Sequence, residues 1–271
     1  MKHLAFLLAA WLGASALAAP LKIGVTPGSL ADSVNVAAQE ARKAGLEVQV
    51  IEFTDWTAPN TALEAGDIDL NYFQHQAFLD NAIRERGYRI ESVGLGLLPN
   101  IGLYSKKHPS LADIPDGASV GVANDPVNQA RGLLLLQSAG LLQLKSGVGA
   151  KASVADVVDN PRKLRLVEVE GPQLVRAIDD LALAQGYPAH FVNAGQPDLA
   201  RRALRYSTVD DVYYAIRFVA RSDRKGDPRI ARFVGIYQSS DAVAQQIAKS
   251  FAGDGKLYSL PWRAAPVPGG R

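Results

Sequence analysis

Two short stretches of this chain hold residues whose types and spacing suit ligand chemistry. The first is Asn124-Asp125-Pro126-Val127-Asn128-Gln129-Ala130-Arg131, just before Leu133 to Leu136. A helix is expected over 128–139, ended by Gly140, with Arg131 in its first turn. A cation there runs against the usual dipole preference. A guanidinium fork matches a carboxylate bidentately, and a helix N-terminus adds free N–H groups. The pair makes an anion site for a substrate carboxylate. The alternative is an Arg131 paired with a nearby acid such as Asp125. The second stretch is Asn71-Tyr72-Phe73-Gln74-His75-Gln76-Ala77-Phe78-Leu79, straight after Asp67-Ile68-Asp69-Leu70. A strand end that delivers Tyr, Phe, Gln and His into a loop is where α/β folds bind ligands. His75 and Phe78 are three apart and share a helix face. Aromatic walls with one polar tip suit an apolar side chain with a soft atom, such as a thioether sulfur. The alternative is that Phe73 and Phe78 are core and His75 is an exposed cap.

Motifs for catalysis are missing. There is no G-x-S-x-G, P-loop, G-x-G-x-x-G after a strand, or H-E-x-x-H. The acid pairs Asp67/Asp69, Asp179/Asp180 and Asp210/Asp211 read as turn and cap residues. The chain has no cysteine, which excludes disulfides, thiolate metal sites, Fe–S clusters and cysteine nucleophiles. No cofactor or metal is expected.

The elements that must carry these stretches alternate between strand and helix. Strands are expected at 21–26, 46–53, 68–72, 119–123 and 164–169. Helices are expected from 32 or 33 to 43, and at 58–65, 75–86, 128–139 and 174–182, several closed by Gly45, Gly87 or Gly140. Such alternation implies parallel sheets covered by helices. Two extended segments, 97–105 and 213–220, are candidate crossovers between two lobes. The region 227–251 reads as two helices, with Ser239 or Ser240 capping the second.

Length and composition fit that reading. With 271 residues, 48% hydrophobic and 21% charged, the chain is globular, of one large domain or two. Twenty-nine basic against 27 acidic side chains leave a net charge of +2, too little to imply nucleic acid. The N-terminus reads as an export signal: Lys2, then the apolar run Leu4 to Gly13, then small residues with Ala16-Leu17-Ala18 as the cleavage site. The expected mature protein begins at 19. It has no cysteine to carry lipid and is exported to the periplasm without a lipid anchor.

Taken together, LKIGVTPG, EFTDWTAPNTALEAGDIDLNYFQHQAFLD, ERGYRI, YSKKHPSLADIPDGASVGVANDPVNQARGLLLLQSAGLLQLK, DVVDNP and EGPQLVRAIDD resemble the methionine-binding lipoprotein family. These are substrate-binding proteins of ABC-type methionine importers. The resemblance runs from about 21 to 262, and its most specific motifs are NDPxNxxR and DIDxNxFQH. It implies an α/β, two-lobed periplasmic-binding-protein fold of type II. Each lobe is a mostly parallel sheet flanked by helices, and two crossovers join the lobes. Lobe 1 would comprise 19–103 and 217–262 and lobe 2 would comprise 104–216, between a signal peptide at 1–18 and a flexible tail at 263–271. It implies a small ligand, methionine or a related amino-acid-like molecule, and a membrane permease as partner. Phe73, His75 and Phe78, joined by Trp56, would line the side-chain pocket. Arg131 would hold the α-carboxylate, with Asn128 beside it.

The chain departs from the family in places. Trp56 and Phe78 stand where the family often has Tyr. After Asp179-Asp180 the family usually has a V-I-N run whose Asn contacts the backbone of the ligand; Tyr187 falls near that position, and Asn193 is the other candidate. The segment 185–205 diverges generally, so the exact ligand stays open. Two other readings remain. One is an enzyme of the dehydratase or lyase type on this scaffold, with His75, His190 or Tyr187 as acid or base. The other is a ligand sensor outside transport.

Overall fold

The structure, a computed structural model, describes residues 19–207 and 211–263. The expected signal peptide lies outside the described residues, as does all of the expected tail but Arg263. The first lobe opens with β1 (Leu21–Val25), α1 (Ser29–Lys43), β2 (Val48–Glu52), α2 (Ala58–Ala65), β3 (Leu70–His75), α3 (Gln76–Arg86) and β4 (Ile90–Leu95). A two-residue strand, β5 (Leu98–Pro99), leads out of it. The second lobe holds β6 (Gly102–Tyr104), β7 (Ser119–Ala123), α4 (Pro126–Ser138), β8 (Gln143–Leu144), β9 (Val157–Asp159) and β10 (Arg165–Val169). It continues through α5 (Leu174–Ala177), β11 (Leu183–Gly186), α6 (Pro188–Asn193), α7 (Pro197–Ala200) and β12 (Arg205–Tyr206). The chain then returns through β13 (Ile216–Arg221), α8 (Pro228–Ser239), α9 (Asp241–Ser250) and β14 (Tyr258–Ser259).

Two five-stranded sheets result, ordered β2-β1-β3-β13-β4 and β10-β7-β11-β6-β12. Each has four strands in one direction and one in the other. The reversed strands are β13 and β6, the two that receive the chain from the opposite lobe. The physical reason is the cleft. In an open α/β sheet the carboxyl ends of the parallel strands face the ligand crevice. A chain arriving across that crevice starts its strand at the crevice end, so it must run the other way. β14 pairs with β5, so the C-terminal segment straps the outgoing crossover.

The strand pairing corrects some expected boundaries. All of β6 pairs within the second sheet, so a lobe boundary after 103 would cut it; the boundary falls before Gly102. Ile216 already pairs with His75, so the returning boundary falls before 216, not after it. β3 extends to His75, because its central position pairs it on both sides and buries all six residues. The helix expected over 174–182 stops at Ala177, since the N–H of Ala182 is bonded to Ser119 O at the entry to β11. The helix split in 227–251 falls at Ser240, whose Oγ accepts the N–H of Val243 at 3.3 Å.

The first lobe is packed around Tyr72. Its ring stacks on Phe218 at 4.2 Å. A side chain at Gly96 would overlap that ring, so glycine is required there. A buried relay starts at the outgoing crossover. Leu97 N–H donates to Tyr72 Oη (3.0 Å), which donates to Tyr237 Oη (2.8 Å), which donates to Ser33 Oγ (3.1 Å), which donates to Leu30 O (2.9 Å). The relay ties the crossover to the first turn of α1. Tyr72→Phe removes an acceptor that a buried N–H needs, so unfolding free energy should fall by about 1–3 kcal/mol. Urea unfolding of wild type and variant checks this, and an unchanged midpoint would refute the relay.

Candidate functional site

Trp56, Phe73, His75, Phe78, Asn128 and Tyr187 line one cavity between the lobes, with about 560 Å³ of empty space, part of it open to solvent. The first four come from the first lobe and the last two from the second. Leu30, Leu97, Pro99, Ile216 and Phe251 complete its apolar wall, while Thr26, Ser29, Gln74 and His190 add polar groups.

Each aromatic has a local cause for its place. His75 ends β3 and caps α3: its Nδ1 accepts the N–H of Phe78 at 3.2 Å. That contact brings the Phe78 ring to 6.4 Å from the imidazole and 5.8 Å from the Phe73 ring, edge to face in both cases. Trp56, between β2 and α2, reaches across the cleft. It meets Tyr187 edge to face at 6.5 Å and lies on Gly171, where any Cβ would overlap its ring.

Asn128 organises the polar end. Its amide nitrogen donates to both carboxylate oxygens of Asp125 at 3.1 and 3.0 Å. Its Oδ1 accepts from the Tyr187 hydroxyl at 2.9 Å and faces His75 Nε2 at 3.3 Å. Since His75 Nδ1 is an acceptor, the ring proton sits on Nε2 and is donated to Asn128. The backbone carbonyl of Asn128 accepts from Gln185 Nε2 at 3.0 Å. A Cβ at Gly132 on α4 would overlap that same Gln185 amide.

Arg131 lies just behind this wall, only 7% exposed. Its Nη1 donates to Tyr187 Oη at 3.3 Å and its Nη2 to Pro99 O at 3.4 Å, both long contacts to neutral oxygens. Its guanidinium carbon lies 4.5 Å from the centre of the Tyr214 ring. Among the described residues it makes no ion pair. Asp125 is occupied otherwise: it caps α4 by accepting the Asn128 N–H at 2.9 Å. Two expectations are thereby corrected. α4 begins at Pro126, two residues early, so Arg131 stands in the second turn. The end of α4 is already capped by Asp125, so the guanidinium acts without that helix terminus.

Asn193 does not reach the cavity. It is exposed on the outer rim, beside Asp32, Asn35 and Lys249, with its amide against Gly28. The reason is α6, which starts at Pro188 and carries residue 193 roughly 9 Å along the axis away from Tyr187. Sequence reasoning missed Tyr214 and Ile216. Tyr214 stacks edge to face on His75 at 5.3 Å as well as covering Arg131. The only hint was their position at the start of the returning crossover segment.

Burial sets the protonation states. Desolvation, helped by the nearby Arg131 charge, lowers His75 to about 3. Desolvation lowers His190 to about 4. Burial raises Tyr187, partly opposed by Arg131, and burial also raises Asp125. At neutral pH both histidines are uncharged.

Two α/β lobes, two crossovers and a cavity of aromatic walls with a buried guanidinium behind one end define a two-lobed ligand-binding protein. The chain belongs to the NlpA lipoprotein family, whose sequence profile matches residues 21–258. It is 43% identical over 236 residues to the D-methionine-binding lipoprotein MetQ of Yersinia pestis, covering 86% of each chain. Among solved structures it resembles the methionine binding protein MetQ (TM-score 0.82, 40% identity, 89% of this chain and 98% of that one). It also resembles a nutrient binding protein from Burkholderia cenocepacia bound to methionine (TM-score 0.81, 38% identity, 86% and 97%).

Two outcomes follow. Because both histidines are neutral when folded but have an ordinary value near 6.5 when unfolded, the unfolded chain binds more protons in between. Stability should therefore fall as pH drops from 6.5 towards 4, with about one proton taken up per histidine. His75→Gln should reduce that uptake by about one proton, measured from urea midpoints across this range; an unchanged uptake would contradict a buried neutral His75. Gly171→Val should displace the Trp56 ring at a cost of about 1–3 kcal/mol. Its fluorescence emission should shift to the red, and an unshifted spectrum would mean Trp56 does not depend on that contact.

Proposed function

We propose that this protein is the substrate-binding component of an ABC importer and captures methionine or a closely related carboxylate between its lobes. One observation carries the reading: a buried Arg131 with only neutral partners, just behind the polar end of an otherwise apolar cavity and in contact with its wall residues Tyr187 and Pro99. Burying a cation without a counter-ion is costly, so the arrangement is complete only with an anion bound. A carboxylate gains two charge-assisted bonds from a guanidinium fork. Asn128 stands beside it, holding Tyr187 in position to accept from Arg131. Trp56, Phe73, His75 and Phe78 clasp the ligand's side chain, and rings around a thioether sulfur are favourable. Tyr187, and not Asn193, takes the place of the family's ligand-contacting Asn. The names of the relatives support the same ligand class.

The reading is binding and not catalysis. A base needs a free lone pair near neutral pKa. The Nδ1 lone pair of His75 is taken by the Phe78 N–H, and both His75 and His190 have values far below neutrality. The protein works in the periplasm, exported by the leader-like residues 1–18, and hands its ligand to a membrane permease.

The test is calorimetry and thermal shift on refolded, ligand-stripped protein against L- and D-methionine and other amino acids. A ligand specific to the folded state raises the melting temperature. Arg131→Gln should weaken binding by about 2–5 kcal/mol while the unliganded protein melts normally. Full affinity in that variant would sink the carboxylate assignment.

A further inference from the structure

The charge of Arg131 is buried without an acid, so something neutral has to keep it in place. We propose that Tyr214 is the positioning residue for Arg131: the face of its ring steadies the guanidinium and leaves the charge uncompensated, so that an incoming carboxylate, and not the protein, neutralises it. This rests on the assignment of Arg131 to the carboxylate.

Among the described residues, the hydrogen bonds of Arg131 go only to neutral oxygens, Tyr187 Oη at 3.3 Å and Pro99 O at 3.4 Å. Both lie beyond the usual range for N–H donors and fix a fork weakly. The rings stand closer to the charge. The guanidinium carbon is 4.5 Å from the centre of the Tyr214 ring and 5.8 Å from that of Tyr187. A ring face attracts a cation within about 6 Å, most strongly where water is excluded, and Tyr214 is the nearer of the two. A π face differs from a carboxylate in one respect that matters for binding. It stabilises a buried cation yet carries no net charge. An acid in the same place would pair with Arg131 and compete with any ligand anion. Asp125 does not do so, because its carboxylate is committed to Asn128.

The Tyr214 ring is itself held. It ends a single helical turn, Val212–Tyr214, capped by Asp211, which accepts the Tyr213 N–H at 3.0 Å. Tyr213 Oη donates to Asp80 on α3 at 2.7 Å, and Arg217 Nη2 donates to Val212 O at 2.8 Å. His75 meets the Tyr214 ring edge to face at 5.3 Å. The Tyr214 hydroxyl makes no hydrogen bond among the described residues, so the ring is the working part. This turn belongs to the returning crossover, and Pro99 belongs to the outgoing one. A cation carried by the second lobe is thus gripped by both segments that join the lobes.

The test compares Tyr214→Phe with Tyr214→Leu in the whole refolded protein, each alone and combined with Arg131→Gln. Binding of L- and D-methionine is followed by calorimetry, and by thermal shift where it is weak. Tyr214→Phe keeps the ring and should bind like wild type. Tyr214→Leu keeps apolar bulk and loses the negative ring face, so affinity should fall about three- to thirtyfold. In the Arg131→Gln background the same exchange should cost nothing further, because the partner of the ring is gone. A second readout needs no ligand. The NMR signal of the Arg131 Nε–H, assigned by its loss in Arg131→Gln, should lie upfield under the ring current. It should stay there in Tyr214→Phe and move downfield in Tyr214→Leu. Undiminished affinity in Tyr214→Leu, an equal loss in Tyr214→Phe, or an Arg131 signal that does not move in Tyr214→Leu would overturn the proposal and leave the carboxylate reading standing. Full affinity in Arg131→Gln alone would overturn both.

Discussion

The contact between the lobes across the cleft centres on the side chain of one residue, Asn128. Its four hydrogen-bonding positions are all used. Two donors fix it to Asp125 at the start of α4, and the two acceptor sites on Oδ1 take Tyr187 from the second lobe and His75 from the first. The orientation of that amide is therefore determined, not chosen: nitrogen must face the carboxylate. Once it is fixed, the Tyr187 proton points at Asn128 and its oxygen is left to accept from Arg131. The same amide also selects the tautomer of His75. One buried amide with every position filled thus sets proton positions on two neighbours, Tyr187 and His75, and joins two lobes, at a place where an unfilled one would be costly.

The fold places this network where it must be. His75 ends β3, Tyr187 follows β11, and Asp125 follows β7, so all three leave the crevice ends of their sheets. The reversed strands β6 and β13 bring the two crossovers through the same space. As a result Pro99 and Ile216, from the crossovers themselves, become part of the wall.

Much of this could be read from residue order alone, and the parts that could not have physical reasons. Strand and helix alternation was visible because buried parallel strands such as Leu21–Val25 are near-continuous apolar runs closed by glycines and prolines. The Ser240 division was visible because a capping side chain acts locally. Arg131 and the aromatic set were singled out by type, and their chemistry did not depend on knowing the fold. What escaped was three-dimensional. Whether Asn193 or Tyr187 faced the cleft depended on where α6 began. The turn occupied by Arg131 depended on Pro126 opening the helix two residues early. Tyr214 touches Arg131 and His75 only because a strand from the far end of the chain is inserted between β3 and β4.

The close fit of Gly132 against Gln185 limits how such a site can drift. Residue 132 has no room for even a methyl group while Gln185 keeps its amide on the Asn128 carbonyl. The two positions cannot vary independently. A larger residue at 132 is admissible once Gln185 swings its amide aside or shortens, and either change surrenders the buried bond to Asn128. Contacting residues of this kind show strong non-additivity. A change at 132 is therefore felt at Asn128 through Gln185, so the packing couples a helix position outside the cavity to the amide that organises it.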